Sequence, residues 1–207
     1  YGHHKNVGLK DDPATAKRKE SLYLFIIRGT IKAHKDAWKI EINRLKRAGQ
    51  FPLSLKNKMI QGYLRTSALY VVSFYIGGTL GLAIFLLWSF LAKTLLETIN
   101  YVEHYGLVRV EGEPVLPKHS WNSNHVISSS LLYNLNRHSA HHEKANLKYW
   151  ELKAYPNAPK LPYGYLRCLY IAYFMPPLFK KIMRSRLKAW DSIYASDAEK
   201  KLVEKYS

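Results

Sequence analysis

The chain has 207 residues, 47% of them hydrophobic, which is enough for a packed core and excludes an intrinsically disordered protein. Its 32 Lys and Arg residues against 15 Asp and Glu residues give a formal net charge of +17 at pH 7. This excess is split by a charge-poor centre, and no nucleic-acid-binding motif is present, so we expect no nucleic-acid partner. The single cysteine, Cys168, excludes an internal disulfide.

The N-terminal third predicts a turn followed by a long helix. The chain opens with Tyr-Gly-His-His and no initiator Met, which predicts a fragment whose upstream part is missing. Asp11-Asp12-Pro13 indicates a turn or a helix start. Apolar and basic residues separate onto two sides at helical spacing in residues 21–47. This pattern predicts an amphipathic helix of interfacial type, with a soluble surface helix as the alternative.

The central segment predicts membrane insertion. Residues 67–96 contain one formally charged side chain, that of Lys93. One straight helix of that length would measure about 45 Å, against a hydrocarbon core of about 30 Å. Gly77-Gly78-Thr79 offers a turn near the centre, so we predict a transmembrane helical hairpin over about residues 60–101. One long helix with a packing notch at the glycine pair is the alternative.

The charge distribution indicates the orientation of this hairpin. Residues 1–66 carry fifteen basic and five acidic side chains, and residues 101–207 carry sixteen basic and nine acidic ones. Because basic flanks stay on the cytoplasmic side, both ends of the central segment are expected there. Two crossings satisfy this condition, whereas one does not.

The remaining residues, about 102–207, predict a cytoplasmic helical cap within one domain that covers residues 1–207. We expect a polar loop at 111–117, a helix at 122–143, and a short apolar piece at 166–175 that is interfacial or re-entrant. Residues 197–207 are expected to be a charged, solvated tail. Three prolines indicate an irregular connection: Pro156, Pro159 and Pro162.

Histidine clusters indicate a metal site. Most of the nine histidines fall in the groups His3-His4, His104 and His138-Ser139-Ala140-His141-His142, while the isolated His34 is not expected to be a ligand. Positions i, i+3 and i+4 share one helix face, so the last group can aim three imidazoles at one point. If the groups share a site, the chain must return to the face it left, as a hairpin allows. Imidazoles suit zinc, copper and iron alike, and the absence of an H-E-x-x-H motif argues against a metalloprotease.

Four stretches resemble one enzyme family. Residues 100–109, Asn-Tyr-Val-Glu-His-Tyr-Gly-Leu-Val-Arg, are similar to the N-Y-x-E-H-Y-G-L-x-R signature of the membrane-bound alkane 1-monooxygenases. These belong to the integral-membrane fatty acid desaturase and hydroxylase superfamily. Residues 136–142 resemble its last histidine box, Q-R-H-S-x-H-H, with Asn136 as the departure, and residues 119–125 match a stretch between the two boxes. Gly2-His3-His4 resembles the end of an E-H-x-x-G-H-H box.

The resemblance implies an all-α integral membrane protein of the bacterial cytoplasmic membrane, with a histidine-rich site for two non-haem iron ions on the cytoplasmic side. Glu103 is expected to orient an imidazole N–H, or else to be a surface or helix-end charge. For His119 and His125 a structural hydrogen-bonding role is expected. The family's H-E-x-x-H-K box is absent from this sequence, which implies a part of an enzyme that lacks some ligands. The implied iron ligands are His3, His4, His104, His138, His141 and His142.

The resemblance also implies hydroxylation of the terminal methyl of medium- to long-chain n-alkanes with O2. The sequence has no motif for a flavin, NAD or an iron–sulfur cluster, so a separate electron donor is implied, namely rubredoxin with its reductase. Membrane lipid is expected to contact the hairpin and to attract some of the lysines. A slot for the alkane is expected along the second leg of the hairpin, whose residues are equally suited to face lipid: Leu80, Leu82, Phe85, Leu86 and Trp88.

Two other functions remain open on the sequence. A fatty acyl desaturase or a xylene-type hydroxylase would use the same iron chemistry on another substrate. A non-catalytic membrane protein that binds metal or lipid would use the histidines without a reaction.

Overall fold

A computed structural model describes residues 2–144 and 146–206. Every regular element in this part of the chain is helical, which confirms the predicted all-α class; the one β-bridge, between Asn122 and Lys160, is isolated. Two 3₁₀ turns occupy Pro117–His119 and Tyr149–Glu151. The α-helices, in chain order, are α1 (Gly2–Asn6), α2 (Leu22–Arg47), α3 (Lys58–His104), α4 (Val126–Leu131), α5 (His138–Glu143), α6 (Tyr165–Phe174), α7 (Pro176–Ile193) and α8 (Asp197–Tyr206).

The chain divides into two compact units. Unit 1 contains Tyr1–Gly29 and Glu97–Ser207, and unit 2 contains Thr30–Leu96. Helices α2 and α3 are each divided between the two units. Unit 1 holds all the histidine clusters that the sequence singled out, whereas His34 belongs to unit 2.

An aromatic core holds unit 1 together. On α7 the residues Phe179, Met183, Leu187 and Trp190 are buried, and their spacing of three and four places them on one helix face. The ring of Tyr101, near the end of α3, contacts Phe179 at a centroid distance of 5.7 Å. The segment that carries Glu103 and His104 is therefore fixed against the core of this unit.

The apolar helix α3 does not run straight through unit 2. Gly78 interrupts its helical dihedral angles with φ 60° and ψ −152°. The rings of Tyr70 and Phe85 lie 5.5 Å apart, although fifteen residues of straight helix would separate them by about 22 Å. A Cβ on Gly81 would lie 2.6 Å from the carbonyl oxygen of Ser73. The helix axis therefore changes direction at the glycine pair that the sequence indicated.

Within the described residues, α3 is the one helix that is long and apolar enough to cross a membrane. Its most apolar window of 18 residues has a mean hydropathy of 2.0, and none of that window is buried in the protein. The core helix of a soluble protein would have a largely buried window. The composition and exposure of α3 are consistent with a lipid environment.

The single helix expected at residues 122–143 is wrong, since α4 and α5 are separate. The backbone of Asn122 pairs with the carbonyl of Pro159 and the N–H of Leu161, both at 2.9 Å, so it is committed to an extended conformation. Tyr133 and Asn134 have positive φ angles of 49° and 61°, which end a helix. The side chain of Asn136 then donates to the carbonyl of Ser123 and holds the loop closed.

The solvated tail expected at residues 197–207 is also wrong over the described part, where α8 forms. Ser196 and Glu199 exchange backbone-to-side-chain hydrogen bonds of 2.8 and 3.3 Å, which is the capping box of a helix start. Glu199 is fully buried. The segment expected to be interfacial, 166–175, lies largely within α6, which buries Cys168 and Ala172 and exposes Phe174.

We predict that Gly78→Ala destabilises the turn in α3 by about 1–3 kcal/mol, because the left-handed dihedral angles of residue 78 strain any side chain. Gly77→Ala is the matched control, since a Cβ there meets no atom within 4 Å and φ is not left-handed. Unfolding by SDS titration in mixed micelles gives both free energies. Equal stability of the two variants would contradict the predicted strain.

Candidate metal centre

Six imidazole rings converge in unit 1. His3 and His4 come from α1, His104 ends α3, and α5 supplies His138, His141 and His142. Ring centroids are 4.9 Å apart for His3 and His104, and 4.8 Å apart for His4 and His141. All six histidines that the sequence indicated as ligands therefore lie in one cluster. Outside it, His34 contacts Tyr63 and His125 is exposed at the start of α4.

Four of these rings offer ligand atoms to one point. The atoms of His3, His104, His138 and His142 all lie within 4.8 Å of one another. The Nε2 atom of His138 is 3.0 Å from Nε2 of His104 and 2.7 Å from Nε2 of His142. Two imidazole nitrogens at about 2.1 Å from one ion would be about 3.0 Å apart at a right angle and about 3.4 Å apart at a tetrahedral angle. The spacing suits ligands that share a cation.

A buried carboxylate orients His3. Asp12 Oδ2 lies 2.9 Å from His3 Nδ1, and Asp12 also accepts the hydroxyl hydrogen of Thr15 at 2.6 Å. Burial alone would raise the pKa of Asp12, but the hydrogen bonds from His3 and Thr15 hold it below its ordinary value. The Nδ1–H of His3 therefore points to Asp12, and Nε2 is left for a metal. From the sequence, Asp12 was predicted only as part of a turn or a helix start. No regular spacing links it to His3, which is nine residues away.

A backbone carbonyl orients His104. The oxygen of His119 lies 3.2 Å from His104 Nδ1, so that nitrogen carries the hydrogen and Nε2 faces His138. The His119 ring accepts the N–H of Leu116 at Nδ1 and meets Glu199 at Nε2. His119 thus has a hydrogen-bonding role of the kind expected for it. Sequence reasoning missed Glu199, although Ser196-x-x-Glu199 is a recognisable helix-start pattern.

Glu103 lies beside the cluster, with 1% of its surface exposed. Oε1 accepts the hydroxyl hydrogen of Tyr165 at 2.6 Å, and Oε2 lies 3.1 Å from His138 Nε2. Burial raises the pKa of this carboxyl well above its usual range. Glu103 therefore approaches the nitrogen of His138 that also faces His104 and His142, and the opposite nitrogen, Nδ1, is not in contact with it. An orienting role for Glu103 remains a prediction.

The charge state of the cluster suits a cation. Burial lowers the pKa of His104 to about 3, and burial together with neighbouring imidazoles also lowers the pKa of His138 and of His142. The rings of His104, His138 and His142 are therefore neutral at pH 7, which is the form that binds metal. Buried ring nitrogens without a hydrogen-bond partner occur in four of the clustered rings: His3, His4, His138 and His142. Unpaired buried nitrogens are costly. Nε2 of His3, on the side of the ring away from Asp12, is one of them, and a bound ion would satisfy it. Together with the Nε2 atoms of His104, His138 and His142, which face one another, it fits a metal.

Arg109 connects the His104 segment to the end of α1. Its guanidinium donates to the carbonyls of Val7 at 2.7 Å and Lys5 at 2.6 Å, and also to that of Glu113. Its backbone N–H donates to Gly8 at 2.8 Å. The last residue of the ten-residue signature therefore binds the segment that carries His3 and His4.

The five expected channel residues have mixed surroundings. Leu80, Leu86 and Trp88 are exposed, while Leu82 and Phe85 are half-buried. Phe85 packs against Tyr70 within unit 2. Their contact with an alkane stays a prediction.

The family model for fatty acid desaturases matches residues 1–172. This covers most of the chain and all six clustered histidines. The protein belongs to the fatty acid desaturase family.

Several relatives of the chain are monooxygenases by name. The chain is 39% identical over 195 residues to alkane 1-monooxygenase 2 of Alcanivorax borkumensis, covering 91% of this chain and 50% of the relative. Alkane 1-monooxygenase 2 of Pseudomonas aeruginosa is also 39% identical, with 91% and 51% covered. The hydroxylase component of a xylene/toluene monooxygenase of Pseudomonas putida is 34% identical, with 97% and 54% covered. The chain thus spans about half the length of the relatives it matches.

We predict that Asp12→Asn lowers the affinity for Co²⁺ by about 10- to 100-fold, because His3 loses the anion that orients its donor nitrogen. Competition titration of the detergent-purified chain against a chelator measures the affinity. Asp11→Asn, at the exposed neighbour, is the control and should leave it unchanged. The assigned role of Asp12 would be wrong if both variants bound Co²⁺ equally.

For Arg109→Lys we expect a loss of at least about 2 kcal/mol of unfolding free energy, since an ammonium cannot reach three carbonyls in a fork geometry. Denaturant unfolding in micelles tests this. Lys153→Gln, which changes charge at an exposed position, should have almost no effect. A loss no larger than that of the control would exclude the proposed link.

Proposed function

We propose that this chain forms the histidine-rich part of a membrane-bound, non-haem di-iron monooxygenase that hydroxylates the terminal methyl of medium- to long-chain n-alkanes. The observation that carries the proposal is the cluster of six imidazoles in a chain of the desaturase family. The similarity to alkane 1-monooxygenases over 91% of the chain supports the substrate class. Residues 1–207 are proposed to belong to a single desaturase-like domain.

The proposed iron ligands divide into two neighbouring groups. His3, His104, His138 and His142 offer nitrogens to one point. The rings of His4 and His141 are 4.8 Å apart and lie beside this group. They would provide ligands for a second ion. When bound, the irons supply the activation of O2 that an unreactive C–H bond requires. The protein's part is to hold the donor nitrogens in place, through Asp12 and the carbonyl of His119.

We propose that α3 crosses the bacterial cytoplasmic membrane as a hairpin, with legs near 60–76 and 80–101 and the turn at Gly78. The contacts of Tyr70 with Phe85 and of Gly81 with Ser73 support this. The basic flanks support a cytoplasmic position for both ends and, with them, for the proposed cap of residues 102–207.

An alkane has no polar or charged group, so a protein can recognise it only through contacts with its apolar surface. Burial contributes roughly 0.8 kcal/mol per CH₂ group, so a channel for it must be long and lined with apolar side chains. Leu80, Leu82, Phe85, Leu86 and Trp88 on α3 are proposed to provide part of this lining. A membrane position would also allow the substrate to enter from lipid.

The electrons are proposed to come from rubredoxin, a small acidic protein, with its reductase. The net charge of +17 would attract such a partner over long range, and high salt would weaken their association. The same charge favours anionic lipid headgroups.

A second candidate is hydroxylation of an aryl methyl group. The xylene/toluene monooxygenase component covers more of this chain, 97%, than the alkane monooxygenases do. The imidazole cluster would serve both reactions, since both insert oxygen into a methyl C–H bond. A fatty acyl desaturase would use the same cluster on a third substrate.

Turnover with defined substrates separates these functions. These residues alone are expected to be inactive, because the family's H-E-x-x-H-K box is absent from them. We expect membranes that contain the full-length protein to convert octane to 1-octanol when rubredoxin, its reductase and NADH are supplied, with about two irons bound per full-length chain. Products are measured by gas chromatography and iron by mass spectrometry. His138→Ala, which removes a central ligand, is the inactive control. Conversion of xylene alone would favour the second candidate, stearate desaturation would identify a desaturase, and zinc without turnover would indicate a metal-binding protein.

A further inference from the structure

A carboxylate from α8 is buried next to the segment that supports His104. Glu199 has no exposed surface, which is rare for a carboxylate unless it is paired. Oε1 lies 2.8 Å from His119 Nε2, and Oε2 lies 2.5 Å from Lys118 Nζ and 2.8 Å from the N–H of Ser196. The residue lies outside the part of the chain that matches the family model, which ends at residue 172.

The contacts of His119 fix its tautomer. Because Leu116 donates its N–H to Nδ1 at 3.0 Å, that nitrogen has no hydrogen, and the ring hydrogen is on Nε2. Nε2 then donates to Glu199. The ring is therefore held at both nitrogens, and the 3₁₀ turn Pro117–His119 cannot rotate without breaking one of these bonds.

This turn presents a carbonyl to the metal cluster. The oxygen of His119 lies 3.2 Å from Nδ1 of His104, whose Nε2 is 3.0 Å from Nε2 of His138. Other contacts hold the turn as well, because Ser139 donates to the carbonyl of Pro117 at 2.6 Å and Trp190 to that of Lys118 at 2.7 Å. Of these partners, Glu199 is the one that carries a charge.

We propose that Glu199 is a positioning residue for the metal ligand His104, acting through the ring and the carbonyl of His119. It fixes the His119 ring, the ring fixes the turn, and the turn carbonyl accepts the Nδ1–H of His104 and thereby aims Nε2 at the ion. The inference rests on the metal centre proposed above. It assigns a function in metal binding to α8, which lies beyond the histidine boxes.

The competing role for Glu199 is purely structural, as the capping residue of α8. Its backbone N–H reaches Ser196 Oγ at 3.3 Å, which forms the reciprocal half of the capping box. Ser196→Ala removes this half and leaves the contact with His119. Glu199→Gln keeps the side-chain length and the capping pattern but removes the charge that holds Lys118 and His119.

The experiment titrates the detergent-purified chain with Co²⁺ and records both the affinity and the visible ligand-field spectrum. Thermal unfolding of the metal-free protein is measured in parallel. We expect Glu199→Ala to lower the Co²⁺ affinity about tenfold and to shift the spectrum, and Glu199→Gln to shift it in the same direction by less. Ser196→Ala should lower the melting temperature and leave the spectrum as in the wild type. Glu204→Gln, at an exposed position of the same helix, should change neither.

Each outcome decides the inference. A wild-type affinity and spectrum for Glu199→Gln, or a spectral shift that Ser196→Ala reproduces, would overturn the positioning role and leave the metal centre intact. If Glu199→Ala does not fold, Glu199→Gln alone carries the comparison. If the wild-type chain binds no Co²⁺, the metal centre and this inference fall together, whereas a failure of alkane turnover leaves binding measurable.

Discussion

The arrangement of unit 1 depends on one constraint, the burial of several neutral imidazoles with their nitrogens turned towards one another. Nε2 of His138 lies within 3.0 Å of the Nε2 atoms of His104 and His142. Nε2 of His3 is buried without a hydrogen-bond partner, which costs free energy. Hydrophobic packing alone does not favour a buried cluster of imidazole rings. Contacts behind the rings, from Asp12 to His3 and from the His119 carbonyl to His104, keep the rings in place. The cluster therefore has the composition and geometry of a binding site for a metal cation, which accepts electron pairs from imidazole nitrogens.

Segments far apart in sequence meet in unit 1. Arg109 holds the end of α1 across about a hundred residues, and Arg18 pairs with Asp191 on α7 at 2.5–2.8 Å. Each of these arginines makes several hydrogen bonds with its planar guanidinium group, which fixes the orientation of the two segments as well as the distance between them. The segments that these arginines connect also belong to the unit whose aromatic core contains Tyr101 and Phe179.

Much of the architecture follows from the sequence, for physical reasons. The helix α2, the apolar α3 and the break at the glycine pair come from periodicity, composition and a residue without Cβ. The six histidines could be found because clustered imidazoles, three of them at helical spacing, are typical of a metal site. The contact of Asp12 with His3 was missed, because a carboxylate that orients a ring through space leaves no regular spacing. The pattern Ser196-x-x-Glu199 indicates a helix start, but nothing in it points to the distant His119. The split of α4 from α5 was missed because the long-range pairing of Asn122 with Pro159 overrides local helix propensity.

Unit 1 is assembled from both sides of a long interruption in the sequence. At the point where the chain leaves it and later returns, a Cβ on Gly29 would lie 3.4 Å from Oε2 of Glu97. Residues 30–96 are therefore inserted between two positions that lie close together. A linker of a few residues from position 29 to position 97 would bridge this gap and give a shortened polypeptide that retains every clustered histidine without the long apolar stretch.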